Sequence, residues 1–308
     1  LTEPQSTNEI EYSEDFSNGA WSKTNISLTS NNSISPDGTL NADKLEFTTS
    51  SGEINRSLGI VIGQEYTISF YAKTESGTIN FNYGNIDYTV VGGIATTEWQ
   101  RFEVTQTAPA STRFPKIQTT EIGSLLLWGF QIEQLPYATS YIPTDGGTAT
   151  RAGELCFGSG DANDFNSTEG VLFVETAALS DDATARWITI SDGTDTNRLI
   201  LRYTGTSNEI NASIISALGA GSSVSFSGAT ITNTNKIAVR YKLNDSSLWV
   251  NGVNVGGFSG VVWGVNVLNT LNFANANGSS PIFYGKTSQV QVFKTALSDS
   301  ELQTLTTL

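Results

Sequence analysis

The 308-residue chain carries 30 acidic against 16 basic residues, a net charge of −14. That surplus repels phosphate backbones and anionic headgroups, so nucleic acid and membrane surfaces are not expected partners, and no apolar run approaches the roughly 20 residues of a membrane span. The chain has no histidine and a single cysteine, which excludes His-based triads, His zinc sites and an internal disulfide and leaves carboxylates, Tyr, Lys and Arg for any chemistry.

The length suits two domains of about 150 residues, each able to bury its own core. Charged residues are only 15% of the chain, and Gly, Asn, Ser and Thr are abundant where a helical protein would carry runs of Ala, Leu, Glu and Lys. The chain therefore reads as all-β. It contains no Met, and a segment upstream of Leu1 is expected.

Strands are expected at 42–47, 64–73, 78–83, 88–91, 99–105 and 125–133, separated by turn formers such as Pro36-Asp37-Gly38 and Glu75-Ser76-Gly77. This spacing indicates a sandwich. Tyr66, Ile68, Phe70 and Ala72 point one way, Thr67, Ser69, Tyr71 and Lys73 the other; Ile79, Phe81 and Tyr83 likewise oppose Asn80 and Asn82. Trp21 is assigned to the core. Trp128, Phe130 and Ile132 alternate with Gly129, Gln131 and Glu133, and after them periodicity stops. Pro136, Pro143 and the turn formers Thr144-Asp145-Gly146-Gly147-Thr148 mark a joint. The division is a first domain over 1–143, a linker over 144–151 and a second domain over 152–308.

Cys156 opens the second domain as a small buried hydrophobe. Strands follow at 170–176, 185–191, 198–203, 209–215, 222–226, 236–242, 247–255, 270–273 and 287–293, with tight turns at Asp192-Gly193 and Asn251-Gly252. Ser298-Asp299-Ser300-Glu301 is a capping box followed by Leu302 and Leu305, which predicts one helix of about two turns.

Gln64-Glu65-Tyr66-Thr67-Ile68-Ser69-Phe70-Tyr71-Ala72-Lys73, Glu98-Trp99-Gln100-Arg101-Phe102-Glu103-Val104 and Trp128-Gly129-Phe130-Gln131-Ile132-Glu133 resemble the best-marked strands of carbohydrate-binding modules with the galactose-binding-like jelly roll. The resemblance implies sugar binding on a sheet face or at loop tips. It also implies a structural calcium near the first loop and last strand, for which Glu14, Asp15 and Gln131 are the candidate positions beside solvated or capping roles. Lys236-Ile237-Ala238-Val239-Arg240-Tyr241, Ser247-Leu248-Trp249-Val250-Asn251-Gly252-Val253 and the stretch from Gly285-Lys286-Thr287 to Leu297-Ser298-Asp299 resemble concanavalin A-like, laminin-G-like sandwiches. The fold class so implied is two tandem β-sandwich (jelly-roll) domains with one short C-terminal helix. Glu3-Pro4-Gln5-Ser6-Thr7-Asn8, Tyr12-Ser13-Glu14-Asp15-Phe16-Ser17 and Ala138-Thr139-Ser140-Tyr141-Ile142-Pro143-Thr144 are similar to segments of tailed-bacteriophage surface proteins that carry this pair of modules. Bacterial secreted and surface proteins carry the same pair.

The glycosidase form of the second fold resembles a Glu-x-Asp-x-Glu strand with its carboxylates about 5 Å apart. Here the strand at 170–176 holds only Glu175, and Asp181-Asp182 falls in a loop where both carboxylates are expected to be solvated. No enzyme is expected. Candidate glycan contacts are aromatic, amide and guanidinium side chains off the core face: Tyr71, Asn80, Asn82, Trp99 and Arg101 in the first domain, Trp187, Arg198, Arg202, Trp249 and Trp263 in the second. The expected function is non-catalytic glycan binding and adhesion on a virion surface, as tail fibre or capsid decoration, or in another extracellular setting. The alternatives are a structural virion decoration or spacer that contacts other copies or other virion proteins, and an accessory module of a secreted polysaccharide-degrading protein. No cofactor is required, and the resemblance leaves room for a structural calcium in the first domain.

Overall fold

A computed structural model describes residues 1–119, 121–258 and 263–308. The chain divides into two units, one of residues 5–152 and one of residues 1–4 with 153–308. Each is an antiparallel sandwich of two five-stranded sheets, and the helix Asp299–Thr306 completes the second.

In the N-terminal unit one sheet runs in the order Gln100–Thr107, Glu65–Lys73, Gly123–Glu133, Leu40–Phe47, Ile26–Ile34. The other runs Ser22–Thr24, Glu53–Asn55, Lys116–Thr119, Ile79–Gly84, Val90–Ala95. The expected alternation places Ile68, Phe70, Phe81 and Tyr83 in the core with Trp21. Phe70 is the hub: it stacks on Phe130 at 5.5 Å and on Phe102 at 5.6 Å, and meets Tyr83 edge-on at 5.2 Å.

Trp128 departs from its expected face. The register shifts between Trp128 and Gln131, where Gly129 takes φ +65°, and such a bulge moves every residue on one side of it to the opposite face. Phe130 and Ile132 remain in the core while Trp128 turns outward against Tyr71 at 5.5 Å. A Cβ on Gly129 would lie 3.3 Å from the Tyr141 ring, so side chain and backbone both favour glycine here.

The stretch 144–151, expected as a short, partly anchored linker, lies within the N-terminal unit, where part of it forms a separate two-stranded sheet. Ala149–Arg151 pairs with Ser6–Asn8, and buried Thr144 donates to the Ile10 carbonyl at 2.6 Å and accepts from the Ser13 amide at 3.1 Å. Those partners lie some 130 residues upstream, where turn composition carries no sign of them.

In the C-terminal unit one sheet runs Val253–Phe258, Ser246–Val250, Asn235–Lys242, Glu169–Ala178, Gly285–Phe293. The other runs Gly219–Phe226, Ile210–Ser216, Arg198–Tyr203, Arg186–Ser191, Thr270–Asn272. Asn251 and Gly252, both at positive φ, form the two-residue turn expected. Asp192-Gly193 instead opens a longer connection, residues 192–197. The Ser298 capping box forms, with reciprocal bonds to Glu301. Cys156, expected to be buried, is exposed.

Thr144→Val, close in shape, removes two buried hydrogen bonds worth about 1 kcal/mol each. Calorimetry of the whole chain is expected to show one transition lowered by about 3–6 °C, whereas a free linker would leave it unmoved.

Candidate functional site

Both sheets of each sandwich turn one face to the core, so a surface site must lie on an outer face or a loop. On the outer face of the C-terminal unit's Arg186–Ser191 sheet, Ile188, Ile190, Leu199 and Leu201 pack inward. Trp187, Arg198 and Arg202 point outward as their alternation implies, and the structure brings them together. Trp187 is the register partner of Arg202, Arg202 of Asn211 and Asn211 of Ser225, giving one row across four strands.

The Arg202 guanidinium carbon is 5.1 Å and that of Arg198 5.5 Å from the Trp187 ring centroid. Arg202 Nε donates to Asn211 Oδ1 at 3.0 Å, Ser213 Oγ donates to the same oxygen at 2.9 Å, and Asn211 Nδ2 donates to Ser225 Oγ at 2.9 Å. Arg198 Nη1 donates to Asp195 and to Asn275, both at 2.5 Å. Burial, reinforced by the charge of Arg198 and opposed by Glu209, holds Arg202 below the usual arginine range. Ile200 shares the outer face yet is buried, as are Thr189 and Ser191, which donate to the Ala274 and Ala276 carbonyls. Ser223 and Ser225 are exposed. Asn211 is buried and its amide is fully engaged, so what the face offers is a half-buried indole, two half-buried guanidiniums and the hydroxyls of those two serines, groups that meet the C–H faces and hydroxyls of a sugar. Sequence reading missed Asn211 and Ser225, because their place beside Arg202 depends on strand register.

Trp249 and Trp263 leave the candidate surface. Trp249 does face away from the main core, but the helix covers it: it packs with Val171, Phe173, Ala238 and Leu302 at 5% exposure, its Nε1 donating to Ser247 Oγ at 3.0 Å. Trp263, 2% exposed, lies in the main core, edge-on to Tyr241 at 5.7 Å, and donates to the Ile215 carbonyl at 2.7 Å.

In the N-terminal unit, Tyr71, Trp99 and Arg101 share the outer face of one sheet, while Asn80 and Asn82 lie on that of the other, so they form no single site. Arg101 is used for fastening: Nη2 donates to the Thr139 carbonyl at 2.6 Å and to Ser69 Oγ at 2.9 Å, with Tyr71 5.6 Å away. Trp99 donates to the Ile34 carbonyl at 3.0 Å, and Lys73 Nζ sits 5.0 Å from its ring. Asn80 is tied to Glu121 through its backbone amide and side chain. Asn82 lies in a row with Gly92 and Gln118 that contains no ring. Three exposed aromatics, Tyr88, Phe114 and Phe157, were not among the candidates read from the sequence, and one of them carries a cation. Tyr88, 64% exposed at φ +72°, is underlain at 3.6 Å by the guanidinium of Arg113, and nothing in the composition of its loop signals that stacking.

The expected calcium ligands are not brought together. Gln131 is fully buried, with Nε2 donating to Glu133 at 2.6 Å and Oε1 accepting from the Ile142 amide at 2.7 Å. Glu14 and Asp15 line a polar cavity of about 450 Å³ with Asn31, Asn41, Asp43 and Asp145. There Glu14 already accepts from Asn41 and Tyr141, and Asp15 caps Ser17 and Asn18. Among the described residues no three carboxylates or thiols converge to hold a metal ion. The carbonyls of the first loop point at a lysine instead: Lys23 Nζ donates to Phe16, Trp21, Asn18 and Ser17 at 2.9, 3.0, 3.1 and 3.3 Å. Burial lowers its pKa, and the charges of Asp15 and Asp43 oppose that shift. Burial likewise raises Asp43, against the amides of Asn31 and Phe16.

Of the carboxylates weighed for catalysis, Asp182 is not free in solvent. Buried Arg186 clamps it at 2.8 and 2.9 Å. Asp181 accepts from Ser207.

No protein family and no curated protein matches the chain. Several solved structures are similar to it. The CBM40 domain of Ruminococcus gnavus IT-sialidase bound to α2,6 sialyllactose is 15% identical over 50% of this chain and 95% of that one, with a TM-score of 0.41. The CBM22-1–CBM22-2 tandem of Paenibacillus barcinonensis Xyn10C is 11% identical over 96% and 99%, at 0.35. Domains LG4-5 of the mouse laminin α1 chain are 10% identical over 79% and 88%, at 0.32. The assignment of two antiparallel sandwiches rests on the strand pairing.

Two outcomes are expected. Lys23→Met should cost about 2–3 kcal/mol through lost charge-assisted hydrogen bonds, while the melting temperature of the unaltered chain should be the same in calcium and in chelator. Trp249→Ala should cost about 3–5 kcal/mol, as for a core aromatic; a surface tryptophan would cost well under 1 kcal/mol.

Proposed function

We propose that this is a non-catalytic glycan-binding protein that uses the outer face carrying Trp187, Arg198 and Arg202. The observation that carries the reading is the row Trp187–Arg202–Asn211–Ser225, in which buried Asn211 fixes Arg202 beside the half-buried ring of Trp187, with exposed Ser225 at the end of the row. An adhesive role outside the cell, as an exposed part of a phage virion, is the proposed setting. Its support is the resemblance of the segments around Glu3-Pro4-Gln5 and Tyr141-Ile142-Pro143 to phage surface proteins. Among the described residues no helix is long and apolar enough to cross a membrane.

A shallow site of this kind stacks one ring, a contribution of about 1–3 kcal/mol by analogy with base stacking. Affinity of the isolated chain is then about millimolar, and firm attachment needs several copies acting together. On an array of bacterial and extracellular glycans, the unaltered chain presented multivalently should bind a restricted set, and Trp187→Ala should abolish that binding with its melting temperature within a few degrees. Binding that survives Trp187→Ala would move the site to another face. Release of reducing ends or unsaturated sugar from any of the same glycans would contradict the non-catalytic reading.

A further inference from the structure

Seven of the eight arginines place a terminal guanidinium nitrogen on a protein oxygen. Arg56 reaches Glu11, Arg101 reaches Ser69 and Thr139, Arg113 the Asn85 carbonyl and Arg151 the Ser140 carbonyl. Arg186 reaches Asp182, Arg198 reaches Asp195 and Asn275, and Arg240 reaches Asp245 and Asp299. Arg202 is the exception among the described residues: its one hydrogen bond uses Nε, and both terminal nitrogens are left over. In a chain with 30 carboxylates an unpaired, half-buried guanidinium beside a second one is costly, since like charges and desolvation both oppose it. Its orientation is nevertheless fixed, because Asn211 Oδ1 holds Nε and is itself held by Ser213. The planar fork that remains matches the two oxygens of a carboxylate.

We propose that this face takes a sugar acid, its carboxylate received by the terminal nitrogens of Arg202 and its ring by Trp187. The inference rests on the glycan-binding reading above and narrows its ligand. Arg198 adds a second positive charge, offset by its own partner Asp195. Glu209, the carboxylate whose charge reaches Arg202, accepts from Thr204 Oγ1 at 2.5 Å. Ser223 and Ser225, exposed two strands away from Arg202, meet ring hydroxyls. The net charge of −14 repels a long polyanion at distances up to about 8–10 Å, so the ligand is a glycan with isolated carboxylates and not a densely sulfated chain.

The test titrates the whole chain with oligosaccharides of glucuronic acid, galacturonic acid and nine-carbon sugar acids, each paired with its carboxyl-reduced alcohol, and with heparin. The expected result is binding of one or more acids, weakened about ten- to hundredfold by carboxyl reduction. Arg202→Gln should then bind the acid no better than the alcohol, and Arg202→Lys should recover only part of the difference. Equal binding of acid and alcohol by the unaltered chain would overturn this inference and leave the glycan-binding reading standing. Preferential, steeply salt-dependent binding of heparin would overturn the carboxylate assignment. Failure of every probe, together with silence on the wider glycan array, would remove both.

Discussion

Each sheet has two faces, the core takes one, and what lies on the other decides whether a side chain can meet a partner. The four five-stranded sheets give four outer faces. On the sheet of Glu65–Lys73, the segment after Glu133 is strapped across: Thr67 donates to the Leu135 carbonyl at 2.7 Å, and buried Glu133 accepts from Ser6 at 2.6 Å and the Thr139 amide at 2.9 Å. On the sheet of Ser246–Val250 the helix lays Leu302 and Leu305 over Trp249. The remaining two keep reachable polar groups, one around Asn82 and Gln118 without a ring, the other around Trp187 and Arg202.

This distribution separates fastening from recognition among chemically similar residues. Arg101 and Arg202 both lie within 6 Å of an aromatic ring on an outer face. Arg101 spends its terminal nitrogen on the strap through Thr139, and Arg202 has no strap to hold. Lys23 belongs with the fasteners: its ammonium gathers four carbonyls of the Phe16–Trp21 loop, a task hard oxygens otherwise assign to a metal ion.

Local pattern made much of this legible. The period of two assigned Ile68 and Phe70 inward and Trp187, Arg198 and Arg202 outward, and the capping box at Ser298 located the helix, because in each case the cause lies within a few residues of the effect. What could not be read were effects of distant chain. Trp249 has the alternation of an outward residue, and only the docking of Leu302 buries it. Trp128 has the same alternation as Phe130, and the bulge at Gly129 puts the two on opposite faces. Thr144 sits among turn formers, yet its partners are Ile10 and Ser13. Tyr88 gains its cation from Arg113 on another segment, and Asn211 reaches Arg202 only through register.

The measurement closest to the central claim uses the indole signals of the six tryptophans in a nitrogen–proton correlation spectrum during glycan titration. The account predicts a dose-dependent shift at Trp187, with Trp21, Trp249 and Trp263 unmoved. A shift confined to Trp99 or Trp128, with Trp187 silent at saturation, would contradict it.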